Sequence, residues 1–284
     1  MSPILKTFIF LAALSTLLIS IGYAVGGQQG AIYFFGFSLV MNLVTYWFSE
    51  KIALSMAHAK PLPENAPGHQ LQAVRSDVEE ICRAMNMPAP KIYYTEDEQA
   101  NAFATGRNPK HSSICFTKGI LNILDRNELR GVISHELSHI KNRDVLIATI
   151  AAVLASAISA IASAGRWMNF SSRDSESRNP IALLVTVIFA PLAAGLIQMA
   201  ISRQREFQAD HTGSEFTRSP MDLANALAKI EASVARSPMK VNSAIASLYI
   251  SNPLGFSRMA QLFSTHPPTA ERIEKLREMA KQRP

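Results

Sequence analysis

The sequence predicts a mainly α integral membrane protein, with four transmembrane helices and a sizeable water-exposed portion containing a few short strands. Three observations predict it. Hydrophobic residues make up 48% of the 284 residues and charged residues only 18%, against about 25% in an ordinary soluble domain. The deficit is concentrated: from Thr7 to Ser49 there is no Asp, Glu, Lys, Arg or His, and two more uncharged stretches follow. Long polar regions lie between and after these stretches. Such a composition excludes a disordered chain, a collagen and a disulfide scaffold, and it argues strongly against a wholly soluble enzyme.

In chain order, the apolar stretches are 7–25, 31–49, 145–164 and 181–201. Each approaches the roughly 20 residues that cross about 30 Å of hydrocarbon. Gly26-Gly27-Gln28-Gln29-Gly30 joins the first two as a tight uncharged turn, giving a helical hairpin. Residues 165–180 join the last two, and Pro191 and Gly195 inside the fourth are tolerated in membrane helices. A cleaved signal peptide at 1–25 is the competing reading. It is disfavoured by the single Lys6, the over-long apolar run and the second apolar segment that follows at once. The chain thus divides into a hairpin (1–50), a polar region (51–144), a second hairpin (145–201) and a second polar region (202–284).

Lys6, Lys51, Lys60, Lys141, Arg143, Arg203 and Arg205 fall on one face of that topology. The positive-inside rule places this face, with both termini and both polar regions, in the cytoplasm. Arg166, Arg173 and Arg178 in the second turn weaken this assignment without reversing it. The net charge of +6 is read as membrane topology. No basic stripe interleaved with aromatics is present, so the expected partner is a lipid bilayer and no nucleic acid is expected. Cys82 and Cys115 stand in unrelated contexts and are expected to be free thiols in a reducing compartment.

Within the first polar region, 51–58 extends the second span, and Lys60-Pro61-Leu62-Pro63 stops it; 61–68 reads as a linker. Leu71, Val74, Val78, Ile81 and Met85 form one helical stripe, a core-facing helix. Short strands are expected at 91–95, 100–105 and 113–117, with turn chemistry at 106–110 joining the last two. Asp125 is an N-cap, and Glu128 three residues on completes an acidic capping box. The helix from 128 to 143 meets no Pro or Gly after Gly131, so it is expected to run on into the third span. A terminal amphipathic helix occupies 269–282.

The capped helix carries His135-Glu136-Leu137-Ser138-His139. Histidines four apart project from one helical face and can grip a single ion, with Glu136 beside them to activate water and shuttle its proton. A catalytic zinc needs a third protein ligand and an open position. A histidine six residues after His139, with a glycine midway, is excluded, because those positions hold Val145 and Asn142. The next candidate is Glu206, with Asp210 one turn later placed to orient a ligand histidine. Topology supports it. His139 precedes the third span and Glu206 follows the fourth, so two consecutive crossings return the chain to the same membrane face.

With these pieces in place, the chain resembles the HtpX family of bacterial membrane-integrated zinc metalloproteases, relatives of the CAAX prenyl proteases. The resemblance covers nearly the whole length. It is carried by Asn101-Ala102-Phe103-Ala104-Thr105-Gly106-Arg107, residues 134–144, residues 203–210 and Ser264-Thr265-His266-Pro267-Pro268. It implies a gluzincin-like zinc protease domain containing a small β-sheet. It also implies endopeptidase activity against unfolded, misfolded or damaged membrane proteins at the cytoplasmic face of the inner membrane, in protein quality control and stress response. Residue by residue, His135, His139 and Glu206 resemble the ligands of one zinc ion (Zn2+) per chain, and Glu136 the catalytic base. Asp210 and Asp144 resemble the supporting acids. His266 is similar to a downstream residue that stabilises the oxyanion, although its His-Pro-Pro context also starts a helix. The strand with Asn101, Ala102, Phe103 and Ala104 is expected to hold substrate by backbone pairing at a sheet edge. Self-association in the plane of the bilayer is a further candidate contact.

Two other function classes compete. A silent scaffold with structural zinc needs a fourth protein ligand, for which His211 and His266 are the candidates. A transporter is disfavoured by four spans without ionisable residues. His58, His69 and His111 have no partner spacing and are expected to serve the surface or local hydrogen bonds.

Overall fold

The computed structural model describes residues 3–63, 69–156, 195, 203–236, 239, 241, 243–253 and 267–282. Residues 157–164 of the third expected span, the fourth span apart from Gly195, and His266 lie outside the described residues.

The first helix, α1 (Pro3–Met56), breaks at Gly26 and Gly27, where φ is −137° and 59°. A left-handed backbone costs glycine nothing, so the expected turn forms there. The two arms face each other: Asn42 Nδ2 donates to Ser15 Oγ at 2.9 Å, and the backbone of Gly30 leaves no room for a Cβ on Gly22. Among the described residues, Gly26–Met56 is the one helix long and apolar enough to cross a membrane; Thr7–Ser20 and Asp144–Ser156 are shorter apolar helices. Phe8, Tyr33, Phe35, Val40 and Trp47 are all more than half exposed, a large apolar surface of the kind that marks a membrane or protein contact.

A four-stranded sheet follows, in the order β1-β2-β4-β3. It consists of β1 (Lys60–Pro61), β2 (Lys91–Thr95), β3 (Ala102–Asn108) and β4 (His111–Thr117). β2 pairs parallel with β4, and both edge strands are antiparallel to their neighbours. β2 falls where the sequence predicts it. β1 does not, since 61–68 reads as a linker: Lys60 and Pro61 pair with Tyr94 and Tyr93, and a proline fits only such an edge position.

Strand alternation gives the sheet two apolar faces. Ala102, Ala104, Ile114 and Phe116 join the main core with α2 (His69–Ala84) and α4 (Arg126–Lys141). Phe103 and Cys115 point the other way, onto Ala53, Leu54 and Ala57 at the foot of α1. A short α3 (Lys118–Ile123), capped by Thr117, connects β4 to α4. Asp125 and Glu128 close the expected capping box on α4.

One expectation fails. The helix does not run on into the third span: Asn142 caps α4, Arg143 has φ 62°, and α5 (Asp144–Ser156) starts anew. A non-glycine left-handed residue carries strain, and what holds it here is tertiary, since Asp144 is bonded to Arg205 and His139. The remaining helices among the described residues are α6 (Arg203–Thr217), α7 (Pro220–Arg236), the short α8 (Ser243–Ala246) and α9 (Thr269–Lys281).

Candidate metal centre

α4 lies between the sheet and α6, and this sandwich builds the site. Its helical repeat turns His135 and His139 to one face, with ring centroids 4.7 Å apart and planes at 88°. Glu206 reaches the same point from the first turn of α6. The approach of the two helices is close: a Cβ on Gly213 would lie 3.0 Å from the backbone nitrogen of His135. Ser134 Oγ donates to the Gly213 carbonyl at 2.9 Å across the buried contact.

The Nε2 atoms of His135 and His139 are 3.2 Å apart. Glu206 Oε1 is 3.4 Å from His139 Nε2, and its Oε2 is 3.8 Å from His135 Nε2. Donors at 2.0–2.1 Å around a tetrahedral zinc stand about 3.3 Å from one another, so two imidazoles and one carboxylate at these separations fit such an ion. Among the described residues these three form the group able to hold a metal. Glu136 is buried next to them.

The outer ring nitrogens are held by carboxylates. His135 Nδ1 is 2.9 Å from Asp210 Oδ1, and His139 Nδ1 is 3.5 Å from Asp144 Oδ2. Such partners fix the ring orientation and would leave each Nε2 for a metal. Burial, helped by Arg272 and His139, lowers the His135 ring to about 4. Burial works against a charged His139 too, but Glu206 and Asp144 overcome it and raise that ring to about 9. For Asp210 burial raises the carboxyl, yet Arg272 and His135 bring it down to about 2.

Arg272 is the site residue that sequence reasoning missed. It is 2% exposed, and its guanidinium donates to both Asp210 oxygens at 2.9 and 2.7 Å and to the Ile250 carbonyl at 3.1 Å. Its Nη1 also stands 3.7 Å from Glu206 Oε2. A signal existed. Arg272 shares one face of α9 with Leu276, its fellow buried residue, and a charge on an apolar stripe needs a buried partner.

Other expected residues fall as follows. Asn101 precedes β3, and its side chain bonds both backbone groups of Ser251, at 2.8 and 3.3 Å. β3 is an edge strand, but the Ala102 carbonyl already accepts from Ile250 N at 2.9 Å. The Phe103 ring meets Tyr249 edge-on at 4.9 Å, and Ala104 is buried towards the α4 side. His211 is exposed and pairs with Glu215 at 3.8 Å, and His111 bonds locally to Asn108.

Over residues 69–280 the sequence matches the description Peptidase family M48. A "Protease HtpX homolog" from Pelotomaculum thermopropionicum is 46% identical over 282 residues, covering 97% of this chain and 99% of that protein. Others of the same description, from Thermococcus sibiricus and Ralstonia pickettii, are also 46% identical, each covering 97% of this chain and 96% of theirs. The crystal structure of S. mikatae Ste24p is similar with a TM-score of 0.50 at 16% identity. The match covers 93% of this chain and 62% of that longer one, and it speaks for the fold alone.

Proposed function

The chain belongs to peptidase family M48, and from that premise we propose a zinc-dependent endopeptidase, anchored in the bacterial inner membrane by four helices, that cuts unfolded or damaged membrane proteins at the cytoplasmic face. Membrane-associated metalloprotease activity follows from the family and its relatives. The convergence of His135, His139 and Glu206 from two helices supports one zinc per chain. The topology is supported by the exposed apolar hairpin and by the need for both polar regions to meet on one side.

When bound, zinc supplies Lewis-acid polarisation and makes hydroxide accessible near neutral pH. Glu136 takes a proton from the attacking water at its carboxylate and returns it to the leaving nitrogen. His135, His139 and Glu206 hold the ion, while Asp210 and Asp144 fix the two rings. The outward backbone of β3 at Ala104, beyond the bond that Ile250 makes to Ala102, offers an extended substrate an edge to pair with. His266 is assigned the oxyanion role by resemblance alone.

A structural-zinc scaffold would need a fourth ligand, and the exposure of His211 and its pairing with Glu215 speak against one of the two candidates. The decisive experiment is Glu136→Gln, assayed on a denatured protein substrate in detergent with zinc measured in parallel. Cleavage should vanish while zinc stays at one per chain. Retained cleavage would refute the assignment of the base.

A further inference from the structure

At the foot of the hairpin a cavity of about 120 Å³ opens between α1, β3 and the α4–α5 junction. This is several times the ~10–15 Å³ that one water needs. Phe8, Leu11, Tyr46 and Leu146 line its apolar side, and Arg107 and Arg143 its polar side. We infer that it binds the phosphate of an anionic glycerophospholipid, with an acyl chain against the apolar side chains and the headgroup between the two arginines.

Depth is the first argument. The exposed apolar band of the hairpin runs to Trp47 and Phe48; beyond it Glu50 accepts from Ser113 Oγ at 2.7 Å, on the sheet. The cavity therefore sits where hydrocarbon would give way to headgroups, the level at which tryptophan and tyrosine concentrate. Arg107 lies 4.3 Å over the Trp47 ring, and Tyr46 packs edge-on to that ring at 5.6 Å. An arginine stacked at this level keeps its outer N–H groups free to fork onto a phosphate.

Charge is the second. Among the described residues no carboxylate pairs with Arg107 or Arg143, and none lines the cavity. A second cavity sharing Asn108 and Arg143 adds Lys110, His111 and Lys141, again without an acid. A zwitterionic headgroup would bring its own cation into this cluster, whereas an anionic one brings only the charge that fits. The backbone at Arg143 is the third argument: this residue takes the strained left-handed conformation between the two helices, and such strain collects at functional sites.

The inference rests on the membrane reading, and the test separates the two. The full chain is purified in detergent, titrated with phosphatidylglycerol or phosphatidylcholine, and bound lipid is counted by native mass spectrometry. Membrane integration is followed separately in phosphatidylcholine vesicles. Phosphatidylglycerol should be preferred, and the preference should fall about fivefold for each arginine removed in Arg107→Gln and Arg143→Asn, asparagine being chosen because it tolerates positive φ. Arg107→Lys should recover only part of the preference, since an ammonium keeps the charge but cannot fork onto the phosphate, and the thermal unfolding transition reports whether each variant is folded. Excess inorganic phosphate should not displace the lipid. Equal binding of both lipids, an undiminished preference in the folded double variant, or displacement by phosphate alone would overturn the site while leaving the membrane reading intact. Failure to integrate into phosphatidylcholine vesicles would overturn both.

Discussion

Arg272 holds both oxygens of Asp210, and Asp210 holds His135, so one buried guanidinium lies behind the first imidazole of the site. Removing one partner of a buried pair strands the other, at a cost of about 3–5 kcal/mol. Arg272→Leu should therefore lose about that much stability in denaturant titrations and bind zinc more weakly. Arg272→Lys should recover little, because an ammonium cannot fork onto both oxygens. The pH dependence has a definite sign. Asp210 sits at about 2 when folded against about 3.9 unfolded, so its contribution is complete above pH ~4 and fades as pH falls towards 2. The gap between wild type and Arg272→Leu should be widest near neutrality and narrow below pH ~4; a gap independent of pH would contradict the pairing. At this scale the two imidazoles were legible because their logic is local, a four-residue spacing that sets both on one face; Glu206 was reached only through the expected order of the spans, and it lies beside them. Arg272 stayed hidden because its place on the Leu276 face of α9 points to burial but not to a partner, and the partner depends on how α9 docks.

The packing of α6 on α4 turns these residues into a site, and Gly213 permits it. A side chain there would meet the backbone of Ser134 and His135, which cannot rotate away as a side chain can. Gly213→Val should push α6 off α4, costing about 1–3 kcal/mol by overpacking. It should lower bound zinc through displacement of Glu206, with a smaller loss for Gly213→Ala; full zinc occupancy in the valine variant would show the contact is not limiting. The capping box of α4, the glycine turn of α1 and the span of β2 were legible because each is written in neighbouring residues. The break between α4 and α5 was not, since no Pro or Gly announces it: Arg143 takes the left-handed turn while Asp144 is bonded to residues on other elements. The pairing of β1 with β2 escaped for the same reason, two residues being too few to show a period.

For the whole molecule, the proposed four-helix topology requires Glu136 and Glu206 to share one aqueous side. Thiol labelling is suited to the test, because both native cysteines are buried. Burial raises Cys82 to about 12 and Cys115 higher still, so neither offers reactive thiolate at neutral pH. In intact inverted inner-membrane vesicles, cysteines placed at exposed Glu79, in the first polar region, and at exposed Glu215, in the second, should react with an impermeant maleimide. One at Gln28, in the hairpin turn, should react only after the vesicles are opened. Equal reactivity of all three would overturn the topology.

The order in which the site is put together carries a consequence for the cell. The chain is made from its amino end, so His135 and Glu136 leave the ribosome well before the helix bearing Arg272. Until that helix docks, Asp210 lacks its anchor and the first imidazole lacks a firm hold, which would keep a nascent hydrolase inert while its own hydrophobic segments are still threading into the bilayer.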